Sequence, residues 1–205
     1  MVLISTKRWE SLEQWSPNLF IIAGVLAVVF AAFEWTTVAT CGQIRQCGYL
    51  TDMRSIFGPA GFVVGFIGLL GLYPEVADRS PKLARAGAVF AALGAVGFSM
   101  SIVATLGEIG GVLPAQPAWA PVYIILIFTG AVVGYPAIAA AGLRTNAYSR
   151  TLGVLLLVPA ILFVAVLGLI APGIPAWVGP IVGSGHALSL LAIGYVLRTE
   201  TVSDR

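Results

Sequence analysis

The fold is decided by the stretch TLGVLLLVPAILFVAVLGLIAPGIPAWVGPIVGSGHALSLLAIGYVL, residues 151–197, which contains no Asp, Glu, Lys or Arg. A helix that crosses the hydrocarbon core of a bilayer needs about 20 predominantly apolar residues, so this run is more than twice as long as one crossing. Prolines and a glycine at positions 172–175 divide it, because these residues interrupt helices. The pattern therefore predicts a hairpin of two membrane-crossing helices, over 151–171 and 177–197.

The composition of the whole chain agrees with this prediction. Of the 205 residues, 59% are hydrophobic and 10% are charged, and the mean hydropathy is +0.96. Soluble domains carry roughly 25% charged residues. The formal net charge is +2, but the basic residues are scattered through short loops and form no stripe that would neutralise phosphates. We therefore expect a single membrane domain over residues 1–205, with the lipid bilayer as its partner and no binding to nucleic acid.

Four more spans are predicted from charge-poor runs of about the length of one crossing. The first contains Glu34 as its only charged residue, and the fourth follows a loop rich in proline and glycine. These spans are residues 18–39, 55–74, 86–107 and 122–143. Together with the hairpin they make six.

Six spans place both termini on one side of the membrane, and the basic residues indicate which side. Cytoplasmic loops of membrane proteins are enriched in Lys and Arg. If the termini are cytoplasmic, nine of the 11 basic residues lie on that side, and Arg45 and Arg54 lie on the other. Tryptophan and tyrosine residues near the span ends fit two interfacial belts. The sequence therefore predicts an all-α, polytopic protein of the cell membrane, with six transmembrane helices and both termini cytoplasmic.

The first 16 residues have a different pattern from the spans. Trp9, Leu12 and Trp15 recur at helical spacing among charged residues, which predicts a short amphipathic helix on the cytoplasmic surface. A secretory signal is the alternative, with Lys7 and Arg8 as its basic region. The acidic residues in the same segment fit a signal poorly. We therefore expect the first apolar helix to be retained.

Ionisable residues at membrane depth are the places where chemistry is expected, because a charge near the bilayer centre costs at least ~2.5–3.5 kcal/mol. Glu34 and His186 lie within predicted spans, and Glu108 lies at the outer end of the third span. A Glu–His pair can pass protons or bind a cation. In the alternative, His186 is a packing residue, and Glu34 reaches the outer interface beside Trp35. The sequence leaves both interpretations open.

The two cysteines, Cys41 and Cys47, fall in the predicted outer loop 40–55, on the side of the membrane where thiols are oxidised. A disulfide between them would close a short ring and stiffen the loop. Thiol–disulfide exchange is the alternative, but the Cys-x5-Cys spacing and the lack of a second pair fit it poorly. We therefore predict a structural disulfide.

Small residues and prolines mark how the spans are expected to pack. Each even-numbered span carries one G-x-x-x-G pair, a pattern that allows helix backbones to approach closely. The pairs are Gly61/Gly65, Gly130/Gly134 and Gly179/Gly183. They predict packing within one bundle, with homo-oligomerisation as the alternative. Pro136 and Pro159 lie inside the fourth and fifth spans, where proline tends to kink a helix.

No motif of a known chemistry is present in the sequence. A single histidine excludes a bis-histidine haem within one subunit and leaves too few ligands for a zinc site. Walker loops, H-E-x-x-H and G-x-S-x-G are absent. We therefore expect no cofactor, no metal and, on balance, no enzyme. The chain is expected to be a small multi-pass membrane protein of binding or accessory type; the alternative is a small-solute or proton-coupled transporter that uses Glu34 and His186.

Overall fold

The computed structural model of the chain describes residues 6–41, 48–168 and 175–203. These residues form helices and connecting turns, without a strand among them. The helices are α1 Thr6–Cys41, α2 Gly48–Gly71, α3 Tyr73–Ala77, α4 Pro81–Ile109, α5 Ala120–Thr129, α6 Tyr135–Thr145, α7 Arg150–Gly168 and α8 Val178–Ser203. A π-helical turn, Gly130–Gly134, joins α5 directly to α6.

Five of these helical segments are long and apolar enough to cross a membrane. They are Ser11–Cys41, Gly48–Gly71, Pro81–Ile109, Ala120–Thr145 and Val178–Glu200. Helix α7 is apolar as well, but its segment Arg150–Ala165 is shorter. The prediction of an all-α membrane protein is therefore supported with five candidate spans, and the sixth span stays a prediction.

The first two helices differ from their predicted bounds. Helix α1 runs through Pro17 without interruption, so the N-terminal segment continues into the first span instead of forming a separate helix. Its 36 residues correspond to about 54 Å, which exceeds the ~30 Å hydrocarbon core, so the helix must extend beyond it. Helix α2 begins at Gly48, and the prediction that the outer loop reaches residue 55 is therefore wrong. Arg54 lies in the helix.

The fourth predicted span contains an irregular helical turn close to Pro136, the residue that predicted a kink in this span. Proline lacks an N–H group, and its ring crowds the carbonyl of the residue four positions earlier, which for Pro136 is Val132. The π-helical turn Gly130–Gly134 includes that residue and widens the backbone there. Pro159, by contrast, lies inside α7, which remains helical on both sides of it.

The long helices pack as a closed ring in chain order. Helix α1 contacts α2, α2 contacts α4, and α4 contacts the continuous segment from α5 to α6. That segment contacts α7, α7 contacts α8, and α8 returns to α1. The short helix α3 contacts α1, α4 and α6. The ring therefore has an interior in which side chains from all its members can meet.

Glycines bring the ring members close together. A Cβ added at Gly130 would collide with the Cα of Gly94 in α4, and one at Gly61 would lie 3.1 Å from the carbonyl oxygen of Ala23 in α1. A Cβ at Gly183 would lie 2.6 Å from a carboxylate oxygen of Glu34. The G-x-x-x-G pairs therefore serve packing within one chain, as the sequence predicted.

Aromatic rings fill the middle of the ring interior. The ring centroid of Phe62 lies 4.8 Å from that of Phe98 and 5.1 Å from that of Phe163, and Phe66 lies 6.0 Å from Phe98. Aromatic pairs at these separations stabilise a core beyond the apolar area that they bury. We call these four residues, contributed by α2, α4 and α7, the aromatic core.

Gly130→Ala is expected to lower the free energy of unfolding by about 1–3 kcal/mol, because the new methyl group meets the backbone of α4, which cannot move aside. Unfolding in mixed detergent micelles measures this change. Gly185→Ala is the matched control, since its methyl group would meet only the side chain of Leu162, at 3.3 Å. Equal losses in the two variants would contradict the close approach of the segment from α5 to α6 to α4.

Candidate functional site

The carboxylate of Glu34 is buried between α2 and α8. The residue is 7% exposed. Its Oε1 accepts a hydrogen bond of 3.2 Å from Nη1 of Arg54, and the two side chains form an ion pair. Its Oε2 occupies the space that a side chain at position 183 would need. The absence of a side chain at Gly183 therefore creates the room that the carboxylate fills.

Arg54 belongs to this buried ion pair, although the sequence pattern placed it in the outer loop. Its side chain is 22% exposed, so the guanidinium reaches from α2 to Glu34 while it keeps some contact with the surroundings. A lone buried carboxylate would be costly, and the arginine offsets part of that cost. Glu34 lies seven residues before the end of α1 at Cys41, and Arg54 lies six residues after the start of α2 at Gly48. In an antiparallel helical pair, residues at equal distances from the connection meet.

His186 lies inside the ring and is 4% exposed. Its Nδ1 lies 3.1 Å from the carbonyl oxygen of Val182, so we assign the ring proton to Nδ1, which donates to that carbonyl. The imidazole stands edge-on to two rings of the aromatic core, with centroids 5.1 Å from Phe62 and 5.0 Å from Phe163. The carbonyl of Pro159 is also near the ring. Yet Nε2 makes no hydrogen bond of good geometry to any described residue.

The structure brings Glu34 and His186 to neighbouring turns of α8 but not into contact. Glu34 packs at Gly183, three residues before His186, which is a rise of about 4.5 Å along the helix. Phe30, one turn away from Glu34 on α1, also covers Gly183. Glu34 is bonded to Arg54, and His186 is bonded to its own helix. The direct Glu–His pair considered from the sequence is therefore replaced by a Glu–Arg pair.

Tyr135 is a further interior residue that the sequence analysis missed. It is fully buried, and its hydroxyl group has no partner within the described part of the chain. The hydroxyl oxygen would lie 3.2 Å from a Cβ at Gly65, and the Leu190 side chain borders the same space. The tyrosine ring packs against Phe66 at 5.3 Å. Buried tyrosine hydroxyls usually have a hydrogen-bond partner, so this one is unusual.

Three buried polar atoms thus lie one after another beside α8, although only one of them belongs to a residue of that helix. Oε2 of Glu34 lies at Gly183, Nε2 belongs to His186, and the hydroxyl of Tyr135 lies beside Leu190. From position 183 to position 190 the helix rises about 10 Å. We call Glu34, His186 and Tyr135 the polar seam. All three side chains also border α2, through Arg54, Phe62 and Gly65 respectively.

Two other residues singled out by the sequence lie apart from the polar seam. Glu108 is exposed near the end of α4, a helix that packs chiefly on α2 and on the segment from α5 to α6. The structure therefore does not bring it to Glu34 and His186. The predicted disulfide between Cys41 and Cys47 stays a prediction, because Cys47 lies outside the described residues.

A cavity of about 140 Å³ lies at the other end of the bundle. Three carboxylate residues from three different helices line it: Glu13 of α1, Glu75 of α3 and Glu200 of α8. Tyr148, in its wall, donates a hydrogen bond of 2.8 Å to the carbonyl of Leu72 and so ties the start of α7 to the end of α2. Because these residues come from distant parts of the sequence, no local pattern predicted the cavity.

The surroundings of Glu75 in this cavity raise the pKa of its carboxyl group. Burial, together with the nearby carboxylates of Glu13 and Glu200, raises the pKa of Glu75 to about 7, and Arg79 opposes the rise. The three carboxylates are not arranged to bind a metal ion, since the described residues contain no group of three or more His, Cys, Asp or Glu that could hold one. The cavity therefore brings together carboxyl groups from three helices at this end of the bundle.

Comparison with known proteins does not add a function to this geometry. The chain matches no protein-family model, no curated protein and no solved structure. The described structure supports a membrane protein through its apolar helices. Anything more specific has to be argued from the interior residues.

Arg54→Gln is expected to lower the free energy of unfolding by about 2–3 kcal/mol. Removing one partner of a buried ion pair costs roughly 3–5 kcal/mol, and Arg54 is partly exposed, so we expect a smaller value. The double variant Glu34→Gln/Arg54→Gln should recover most of the loss, because it leaves no unpaired charge. Arg198→Gln, at an exposed position of α8, is the control and should change stability by less than about 0.5 kcal/mol. A double variant no more stable than Arg54→Gln would contradict this account.

Glu75→Gln is expected to remove a pH dependence of stability. Because the pKa of Glu75 is raised from 4.5 to about 7 in the folded protein, folding favours the protonated carboxyl. That stabilisation is complete below pH 4.5 and is lost as the pH rises through about 7. The variant should therefore melt at a higher temperature than the parent at pH 8 and at a similar one at pH 5. Glu108→Gln is the control. If the difference in melting temperature between Glu75→Gln and the parent does not grow from pH 5 to pH 8, the prediction is wrong.

Proposed function

We propose that the chain is a cell-membrane protein with six transmembrane helices and both termini in the cytoplasm, and that it acts as a binding or accessory bundle. The distribution of Lys and Arg supports this orientation. The sixth crossing would be α7, which is apolar and lies between α6 and α8 in the ring. The partners of such a bundle are the lipid bilayer together with another membrane protein or a second copy of the chain.

The observation that carries this proposal is the packing of the ring interior. At the level of His186, the rings of Phe62, Phe98 and Phe163 lie with their centroids 4.8–5.9 Å apart. Interiors packed in this way leave few voids larger than a water molecule, so a solute would have to displace several side chains to pass. A stable bundle that presents its outer surface to the membrane fits this interior better than a solute pathway does.

The outer surface of the ring is also suited to binding within the membrane. Large apolar side chains are exposed on successive turns of several helices, where lipid tails or another helix can cover them. Examples are Val25 and Val28 on α1, Val96 and Val103 on α4, Ile161 on α7 and Leu188 on α8. Glycines on several helices face inward in this bundle, and these exposed aliphatic side chains are left for partners.

Proton-coupled transport is the second candidate, and the polar seam is the observation that favours it. Ionisable residues inside a membrane often mark ion or proton paths. Glu34 and His186 both face the ring interior and not the lipid. A proton can pass along hydrogen bonds without an open pore, so the aromatic core does not by itself prevent such a function.

Proton flux into liposomes separates the two candidates. The purified protein is reconstituted, a membrane potential is imposed with potassium and valinomycin, and an internal dye reports the pH. We expect the proteoliposomes to acidify no faster than protein-free liposomes. Faster flux that is lost in both Glu34→Gln and His186→Gln, but kept in the control Glu108→Gln, would overturn the accessory proposal and establish the transporter.

A further inference from the structure

Three polar atoms of the ring interior lack a hydrogen-bond partner among the residues that the structure describes. They are Oε2 of Glu34, Nε2 of His186 and the hydroxyl of Tyr135. An unpaired buried polar atom costs about 1–3 kcal/mol, and such atoms are commonly satisfied by internal water. We propose that the polar seam is a binding site for internal water, which joins Tyr135 to His186 and continues toward Glu34. This inference goes beyond the proposed function, which requires only a packed interior.

The donor and acceptor roles along the polar seam are complementary to water. Because Nδ1 of His186 donates to the carbonyl of Val182, its Nε2 is an acceptor. The hydroxyl of Tyr135 can donate, and an ionised Glu34 offers Oε2 as an acceptor. A water molecule that accepts from Tyr135 can donate a hydrogen to Nε2, and further water molecules are needed to reach Oε2 of Glu34, because Gly183 and Leu190 are about 10 Å apart along α8. Each of the three orphaned atoms then has a partner of the right kind.

The spacing also favours water over a direct bond. Leu190, which borders the hydroxyl of Tyr135 at Gly65, follows His186 by four residues, or about 6 Å of helix. On α2, Gly65 follows Phe62, which packs on His186, by three residues. A separation of about one helical turn exceeds a hydrogen bond and matches one or two intervening water molecules. The hydroxyl lies against Gly65, where a Cβ would come within 3.2 Å of its oxygen.

The site therefore depends on glycine residues in both α2 and α8. Gly183 makes room for the carboxylate of Glu34, and Gly65 makes room for the hydroxyl of Tyr135, so that both polar groups reach the ring interior. Between these two positions, the aromatic core surrounds His186 and separates it from lipid. Polar atoms gathered in an apolar enclosure hold water more firmly than a purely apolar cavity of equal size, which stays dry.

The first test uses the single histidine of the chain. Because His186 is the only histidine, protein labelled with 15N-histidine gives nitrogen signals from this residue alone. We expect Nε2 to show the chemical shift of an unprotonated nitrogen that accepts a hydrogen bond, and to receive magnetisation from water protons in solid-state spectra of proteoliposomes. Tyr135→Phe should reduce that transfer by more than half, whereas Tyr195→Phe, at an exposed position of α8, should leave it unchanged. A wild-type Nε2 that is protonated, or that receives no magnetisation from water, would overturn the proposal.

The second test is a double-mutant cycle that measures melting temperatures. If the hydroxyl of Tyr135 is unpaired, Tyr135→Phe removes a buried polar group and should leave the melting temperature unchanged or raise it. If water bridges it to His186, the variant should melt about 2–4 °C lower, and His186→Phe should remove most of that difference. Additive effects of the two substitutions, or a stabilising Tyr135→Phe, would contradict the water bridge. Neither test depends on proton flux. The water site can therefore be wrong while the accessory function is right, and the accessory function can be wrong while the water site is right.

Discussion

The contact between the first and last long helices is the interaction on which the rest of the structure depends. Glycines on each helix make it close: a Cβ at Gly24 would lie 2.6 Å from Leu191, and one at Gly194 would lie 2.7 Å from Ile21. By joining α8 to α1, this contact turns a linear series of helices into a ring with an interior. Without it, the carboxylate of Glu34 would lose its place at Gly183, and the inward side of α8, including His186, would face lipid.

The helices were predictable because a bilayer forces a simple rule on the sequence: charge must be absent over the length of one crossing. Each of the six predicted spans corresponds to a helical segment of the structure. The rule failed at the start of α2, where Asp52 and Arg54 were taken as loop residues. It failed there because a helix can carry a charged residue that pairs with a residue of opposite charge on a neighbouring helix, as Arg54 of α2 pairs with Glu34 of α1.

The interior site was predictable only in part, for a related reason. Glu34 and His186 were recognised as candidates because an ionisable residue inside a span is rare. Tyr135 was not, since tyrosine is common near the ends of spans and its hydroxyl carries no charge. The cavity lined by Glu13, Glu75 and Glu200 depends on ring closure and on the short helix α3, neither of which leaves a periodic pattern in the sequence.

Taken together, these features describe a ring whose two end helices meet, and the proposed topology gives this ring an even number of crossings. The most direct test is labelling of single cysteines with a membrane-impermeant maleimide in a Cys41→Ser/Cys47→Ser background. The account predicts that Ala115→Cys, between α4 and α5, is labelled in intact cells, whereas Asp78→Cys, before α4, and Thr199→Cys, in α8, are labelled only after the membrane is permeabilised. Labelling of Thr199→Cys in intact cells, with Asp78→Cys still protected, would mean five crossings and would contradict the six-span ring.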